Sequence, residues 1–189
     1  MGRRYFLLKE DLVLNTYKTL YLKYNLSRKQ TSFVFNLIKI VIMKIEYNNL
    51  YTHFVFTTLH RLPLISEQNR QRIEKYITGI VNHNCCQLYA IYANPEHVHF
   101  LVSRSPKIAE ESLAEIISSA SCQFINDNKL CVGNFQWQMS CSAFSVSKGD
   151  VDKVCKYILG QKEHHRKYTF ADEYEQFIQF YQKTIIPNK

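Results

Sequence analysis

From Met43 onward the apolar positions follow two periods. Tyr51–Thr58 (YTHFVFTT), Cys86–Ala93 and His97–Ser103 (HVHFLVS) are rich in aromatic and β-branched residues and read as strands. Asn94-Pro95-Glu96 is a turn signal, so the second and third of these should pair as an antiparallel hairpin. After Ser66, a capping residue, Ile73, Ile77, Ile80 and Val81 recur at helical spacing, which predicts a helix opening near Glu67. Leu113, Ile116, Ile117 and Phe124 predict a second helix opening at Ser112. Ser147 is placed to cap a third over roughly 149–166, with Asp150 and Asp152 near its positive end. A last helix is expected over Thr169–Tyr181. Phe135–Met139 and Ala143–Val146 read as short strands or extended loops. The order β-α-β-β-α-β-α predicts an α+β domain with a ferredoxin-like (RRM-like) antiparallel sheet, helices on one face and a trailing helix that carries a tyrosine.

Residues 1–42 break this pattern. They mix Tyr, Leu and Lys without clean periodicity and end in an apolar run, Phe33–Ile42, interrupted by Asn36 and Lys39. That run is too short to span a bilayer, and Lys9-Glu10-Asp11 breaks any leader-like segment. The expected organisation is therefore an extension over 1–42, which packs as an ordinary helix or lies outside the fold, a domain over 43–181 and a tail over 182–189. No membrane association is expected.

Composition changes the picture little. A 46% hydrophobic share supports a real core, and 14% aromatic residues supply surfaces on which bases stack. The formal net charge is +8, but residues 1–42 hold eight Lys/Arg against two acids, about +6 of it. Only about +2 remains for the rest, so bulk charge is poor evidence for a nucleic-acid partner. Six cysteines without CxxC spacing point to a reduced, cytoplasmic protein.

The chemistry concentrates in two places. His97 and His99 lie two apart in a strand, hence side by side on one sheet face with Val98 turned away. Tyr157 and Gln161 stand four apart in a helical stretch, on one helix face. Two imidazoles and an amide oxygen suit a divalent cation, Mg²⁺ or Mn²⁺, between which these ligands do not decide. Such an ion lowers the barrier to attack on a phosphodiester by withdrawing charge from it. Tyr157 is the candidate nucleophile. With a phenol pKa near 10, only about one part in a thousand is ionised at pH 7, so it needs help from a metal or a base.

These segments, together with FQWQ at 135–138, AFSVS at 143–147 and VCKYILGQKEHHRKYTFADEY at 154–174, resemble the single-tyrosine HUH transposases, the insertion-sequence 200-like enzymes and their REP-associated relatives. The resemblance runs in order over about residues 43–181. It implies a DNA transposase acting on single-stranded DNA with hairpin ends. Tyr157 would form a 5′-phosphotyrosine link and leave a free 3′-OH, with the cation on His97, His99 and Gln161. It also implies a homodimer.

Other residues carry a second reading. Lys153, Lys156, Arg166 and Lys167 flank the tyrosine helix and are candidates for holding DNA phosphates, against exposed solubilising charge. Trp137 is a candidate for base stacking, though most simply a core anchor. Glu96 either orients a histidine or is a solvated turn carboxylate. His164 and His165 read as a polar helix end ahead of any role at the site. Cys155 reads as a small buried side chain. Where relatives carry glycines after Trp-Gln, this chain has Met139-Ser140-Cys141-Ser142, and Leu59 stands where a lysine is common. A catalytically decayed, DNA-binding relative is thus the main alternative, and a phosphoesterase using water instead of Tyr157 a third.

Overall fold

The computed structural model describes residue 45 and residues 47–185, with side chains up to 179. The expectations for residues 1–42 and for the end of the tail lie outside the described residues. The described fold belongs to the unit Tyr47–Lys189. Its strands are β1 (Tyr51–Thr57), β2 (Gln87–Ala93), β3 (His97–Ser103) and β4 (Ser142–Val146), and its helices α1 (Glu67–His83), α2 (Glu110–Asp127), α3 (Val151–Leu159), α4 (Gln161–His164) and α5 (Phe170–Ile185). The sheet order is β2-β3-β1-β4, all antiparallel, which is the ferredoxin-like arrangement expected.

Alternation divides the sheet into two chemically different faces. Phe54 and Phe56 of β1 and Val98, Phe100 and Val102 of β3 face α1 and α2, where Ile73, Ile77, Val81, Leu113 and Ile117 complete the main core. Phe54 stacks on Phe100 with ring centroids 5.1 Å apart, and Phe56 meets Phe100 edge-on at 5.0 Å. The other face carries His53, His97, His99, Leu101 and Ala90. Here Val151 and Ile158 of α3 pack on Ala90 and Leu101, with Val154 and Cys155 beside them. Spacing of 151, 154, 155 and 158 is one helical stripe, so α3 lies flat on β2 and β3. Covered on both sides, β3 is buried along its first six residues.

Several expected boundaries move. The second helix begins at Glu110, two residues before Ser112, with Ala109 as its N-cap. Ser66 and Ser147 occupy cap positions but make no side-chain cap hydrogen bond; Ser147 Oγ donates to Asp150 Oδ2 at 2.6 Å instead. The helix expected over 149–166 is broken at Gly160 into α3 and α4. Gly160 N–H closes α3 on the Lys156 carbonyl at 2.9 Å, and a Cβ at Gly160 would lie only 3.0 Å from that oxygen. The absence of a side chain thus allows the tight closure. Phe135–Met139 supplies one bridge, Thr58 to Trp137, rather than a strand. Trp137 is a core anchor: it is buried against Phe56 and Phe135, and its indole N–H donates to Ser121 Oγ at 3.0 Å.

Because Phe100 is fully buried at the centre of the aromatic layer, Phe100→Ala should destabilise the fold by about 3–5 kcal/mol. Urea denaturation should show a lower midpoint with an unchanged slope.

Candidate metal centre and tyrosine site

The site grows from the register of β1 against β3. Thr57 pairs with His97, Val55 with His99 and His53 with Leu101, so His53 sits diagonally across from His99 on the same face. His53 Nε2 lies 3.0 Å from His99 Nδ1, and the two rings stack at 5.2 Å. All three imidazoles are buried. His99 Nδ1 is thereby occupied, and its Nε2, with no hydrogen-bond partner, is turned into the centre. On His97 the corresponding outward contact is Glu96 Oε1, 3.3 Å from Nδ1.

The helices supply the remaining groups. The turn after Gly160 places Gln161 in the interior, and α5 lays Glu173 over the sheet histidines. Gln161 Nε2 donates to Glu173 Oε1 at 2.8 Å, while Gln161 Oε1 accepts from Asn94 Nδ2 at 3.1 Å. Asn94 Nδ2 also lies 2.9 Å from His97 Nε2. Glu173 Oε2 has no hydrogen bond, yet stands 3.6 Å from His97 Nε2 and 3.5 Å from His99 Nε2. His97, His99 and Glu173 each offer a ligand atom within 4.8 Å of the others, a group that could hold a metal ion. An orphaned carboxylate oxygen and an orphaned imidazole nitrogen, both buried, fit a divalent cation as their common partner.

Burial sets the electrostatics. It pushes His53 down to about 3, assisted by the neighbouring His99, and holds His99 well below its ordinary value, with His97 and His165 adding to the effect. His164 and His165 are lowered by the same cause. These four imidazoles are neutral at pH 7 and available as ligands. Burial raises Glu173 to about 7, against a lowering by His97 and a further raising by Glu96. A cation would reverse this by favouring the carboxylate.

Tyr157 borders the centre. Its ring is edge-on to His99 at 5.8 Å, to His164 at 5.7 Å and to Phe177 of α5 at 6.1 Å. Its hydroxyl is buried and has no hydrogen-bond partner, an arrangement that costs about 1–3 kcal/mol unless function compensates. Phe170 of α5 lies flat on His97 at 4.0 Å.

His97, His99, Tyr157 and Gln161 therefore converge. So do His164 and His165, which are part of the site and not merely a polar helix end. Glu96 stands beside His97 as an orienting residue would. Lys153, Lys156, Arg166 and Lys167 are exposed, Arg166 in a salt bridge with Glu163 at 2.8 Å. Sequence reasoning missed His53 and Glu173. The alternation of β1 held the clue to His53, because a polar residue stands between Tyr51 and Val55 in an apolar strand. Glu173 carried no local signal, since exposed acids are ordinary in the first turn of a helix.

The family model described as "Transposase IS200 like" matches residues 46–161, and the chain belongs to that family. A candidate transposase from Deinococcus radiodurans R1 is similar in structure, with 19% identity, 64% of this chain and 98% of that chain covered, and a TM-score of 0.49. A REP-associated tyrosine transposase bound to a REP hairpin is similar with 17% identity, 66% and 73% covered, and a TM-score of 0.48. No curated protein matches the chain. Among the described residues, no helix is long and apolar enough to cross a membrane.

Two outcomes test the site. His53→Ala should weaken binding of Mn²⁺ about 10–100-fold by calorimetry, as loss of a group orienting a ligand does, and His53→Gln should recover part of it. In metal-free protein, Glu173 has a folded pKa of about 7 against 4.5 unfolded, so its burial lowers stability progressively as pH rises from 4.5 to 7. Glu173→Gln should therefore be more stable than wild type by about 1–3 kcal/mol above pH 7 and match it below 4.5, measured by urea denaturation.

Proposed function

We propose that this chain cleaves and rejoins single-stranded DNA, with Tyr157 as nucleophile and a divalent cation, Mg²⁺ or Mn²⁺, at the His97–His99 centre. The observation that carries the reading is the buried, unpartnered Tyr157 hydroxyl edge-on to His99, beside a His-His-Glu group able to hold the ion. When bound, the cation neutralises charge on the scissile phosphate. His97 and His99 would hold it from the sheet, with Glu173 from α5, and Gln161 from α4 would align that carboxylate or add its own amide oxygen. The Tyr157 oxygen attacks phosphorus and the bond to the 3′ oxygen breaks, leaving a 5′-phosphotyrosine and a 3′-OH. The phenolic proton passes to one of the neutral imidazoles bordering the ring, of which His164 has an unpartnered Nε2, and from there to the departing 3′ oxygen. Such a covalent link keeps the bond energy available for rejoining.

Membership of the family supports DNA with folded ends as substrate and a homodimer as the working form. Lys153, Lys156, Lys167 and Arg166, exposed around the tyrosine helix, would meet phosphates in this reading. The reading of a non-catalytic DNA-binding relative draws on one observation, the inaccessible phenolic oxygen.

Incubated with labelled hairpin DNA and Mn²⁺, the wild-type protein should give an SDS-resistant adduct, absent with chelator. Tyr157→Phe should bind the DNA within about twofold of wild type and form none. An adduct that persists in Tyr157→Phe overturns the assignment of the nucleophile. Cleavage without any adduct favours attack by water, and DNA binding without cleavage favours the non-catalytic relative.

A further inference from the structure

We propose that Asn94 is a built-in competitor for the cation: its side-chain amide holds His97 Nε2 and Gln161 Oε1, and must release them before a cation can use them. Asn94 thereby sets how readily the centre loads. The proposal rests on the reading that the His97–His99 centre takes a divalent cation.

The polarity of the network is set from one end. Glu173 Oε1 accepts from Gln161 at 2.8 Å, so Gln161 turns its nitrogen to α5 and its oxygen away. That oxygen meets Asn94 Nδ2, the donor, at 3.1 Å. The same Nδ2 stands 2.9 Å from His97 Nε2. An amide nitrogen has two hydrogens and donates only, so one goes to Gln161 and the other to His97. His97 Nε2 is thereby the unprotonated ring nitrogen, and the proton sits on Nδ1, facing Glu96 Oε1 at 3.3 Å. His165 Nε2, 3.1 Å from His97 Nε2, has no proton to give, because His165 Nδ1 donates to the Tyr168 carbonyl at 3.1 Å.

An unprotonated imidazole nitrogen has a single lone pair, which serves the Asn94 hydrogen or a metal ion but not both. His99 Nε2 differs, for it has no hydrogen-bond partner. Of the two sheet imidazoles, one is therefore open and the other is engaged. Asn94 is itself buried, in the turn between β2 and β3, and its backbone is fixed. Its N–H donates to the His97 carbonyl at 2.8 Å, and the Pro95 and Glu96 carbonyls accept from Ile65 and Thr58, each at 2.9 Å. Release of the two atoms thus takes a rotation of the Asn94 side chain and leaves the turn in place. Without the amide, His97 Nε2 and Gln161 Oε1 lose these hydrogen bonds in a buried setting, and a cation that takes them makes good the loss. Both effects favour the cation once the amide is removed.

The test uses the full chain, stripped with chelator and titrated with Mn²⁺ in a calorimeter. Asn94→Leu keeps the volume of the side chain and removes both hydrogens. It should bind Mn²⁺ about 10-fold more tightly than wild type, or better, while melting at a lower temperature in chelator. Asn94→Ala provides the same test if the leucine variant does not fold. Unchanged affinity overturns the proposal, and so does binding about 10–100-fold weaker, which is what loss of a group orienting a ligand gives. A second readout needs no variant protein to bind the ion. In ¹⁵N-labelled wild type the Asn94 side-chain protons, identified by their absence from the Asn94→Leu spectrum, should exchange slowly with solvent in chelator and faster at saturating Mg²⁺. Exchange that Mg²⁺ leaves unchanged, where calorimetry shows Mg²⁺ bound, overturns the competition and leaves the cation centre standing. If His97→Ala binds Mn²⁺ as wild type does, the centre itself falls and the proposal with it.

Discussion

A single antiparallel register between β1 and β3 governs both halves of this molecule. Because side chains alternate, the pairing that stacks Phe54 on Phe100 also brings His53 to His99 on the opposite face. Slipping one strand by one residue would turn its imidazoles into the aromatic layer and its phenylalanines toward α3 and α5. The hydrophobic effect acting on one side of the sheet therefore fixes the positions of the polar groups on the other. Side chains set on paired strands hold geometry better than side chains on loops.

The polar face is stabilised differently. Two buried and two half-buried imidazoles shifted toward neutrality and a carboxylate raised to about 7 form a group with little net charge to desolvate. Its hydrogen bonds run outward, to Asn94, Gln161 and the Tyr168 carbonyl, and two of its unsatisfied atoms, His99 Nε2 and Glu173 Oε2, meet at the centre 3.5 Å apart. Such a pair is specific about what it lacks. Here that is a positive charge with several short bonds to nitrogen and oxygen.

Much of this was legible in the chain. The HVH alternation gave the shared face, the Asn94-Pro95-Glu96 turn gave the hairpin, and the order of elements gave the sheet. What could not be read depends on packing between distant segments. His53 becomes a partner of His99 only through strand pairing 46 residues apart. Glu173 reaches the centre because the chain turns after α4, and no local period encodes that turn. The break at Gly160 was hidden because a lone glycine in a helical pattern is usually tolerated. His164 and His165 looked like a solvated end for the same reason: their burial is created by α5, not by their neighbours in sequence.

The roof made by α5 has a mechanical consequence. Phe170 lies on His97, Phe177 borders the Tyr157 ring, and the Arg61 guanidinium sits over Phe170 and Tyr174 from a loop whose His60 and Arg61 both have left-handed backbone. Among the described residues the Tyr157 oxygen is covered. For a DNA strand to reach it, the Phe177 turn of α5 would have to yield while Glu173, one turn earlier on the same helix, keeps its place beside the imidazoles, so access to the phenol and grip on a cation are controlled by adjacent turns of one element.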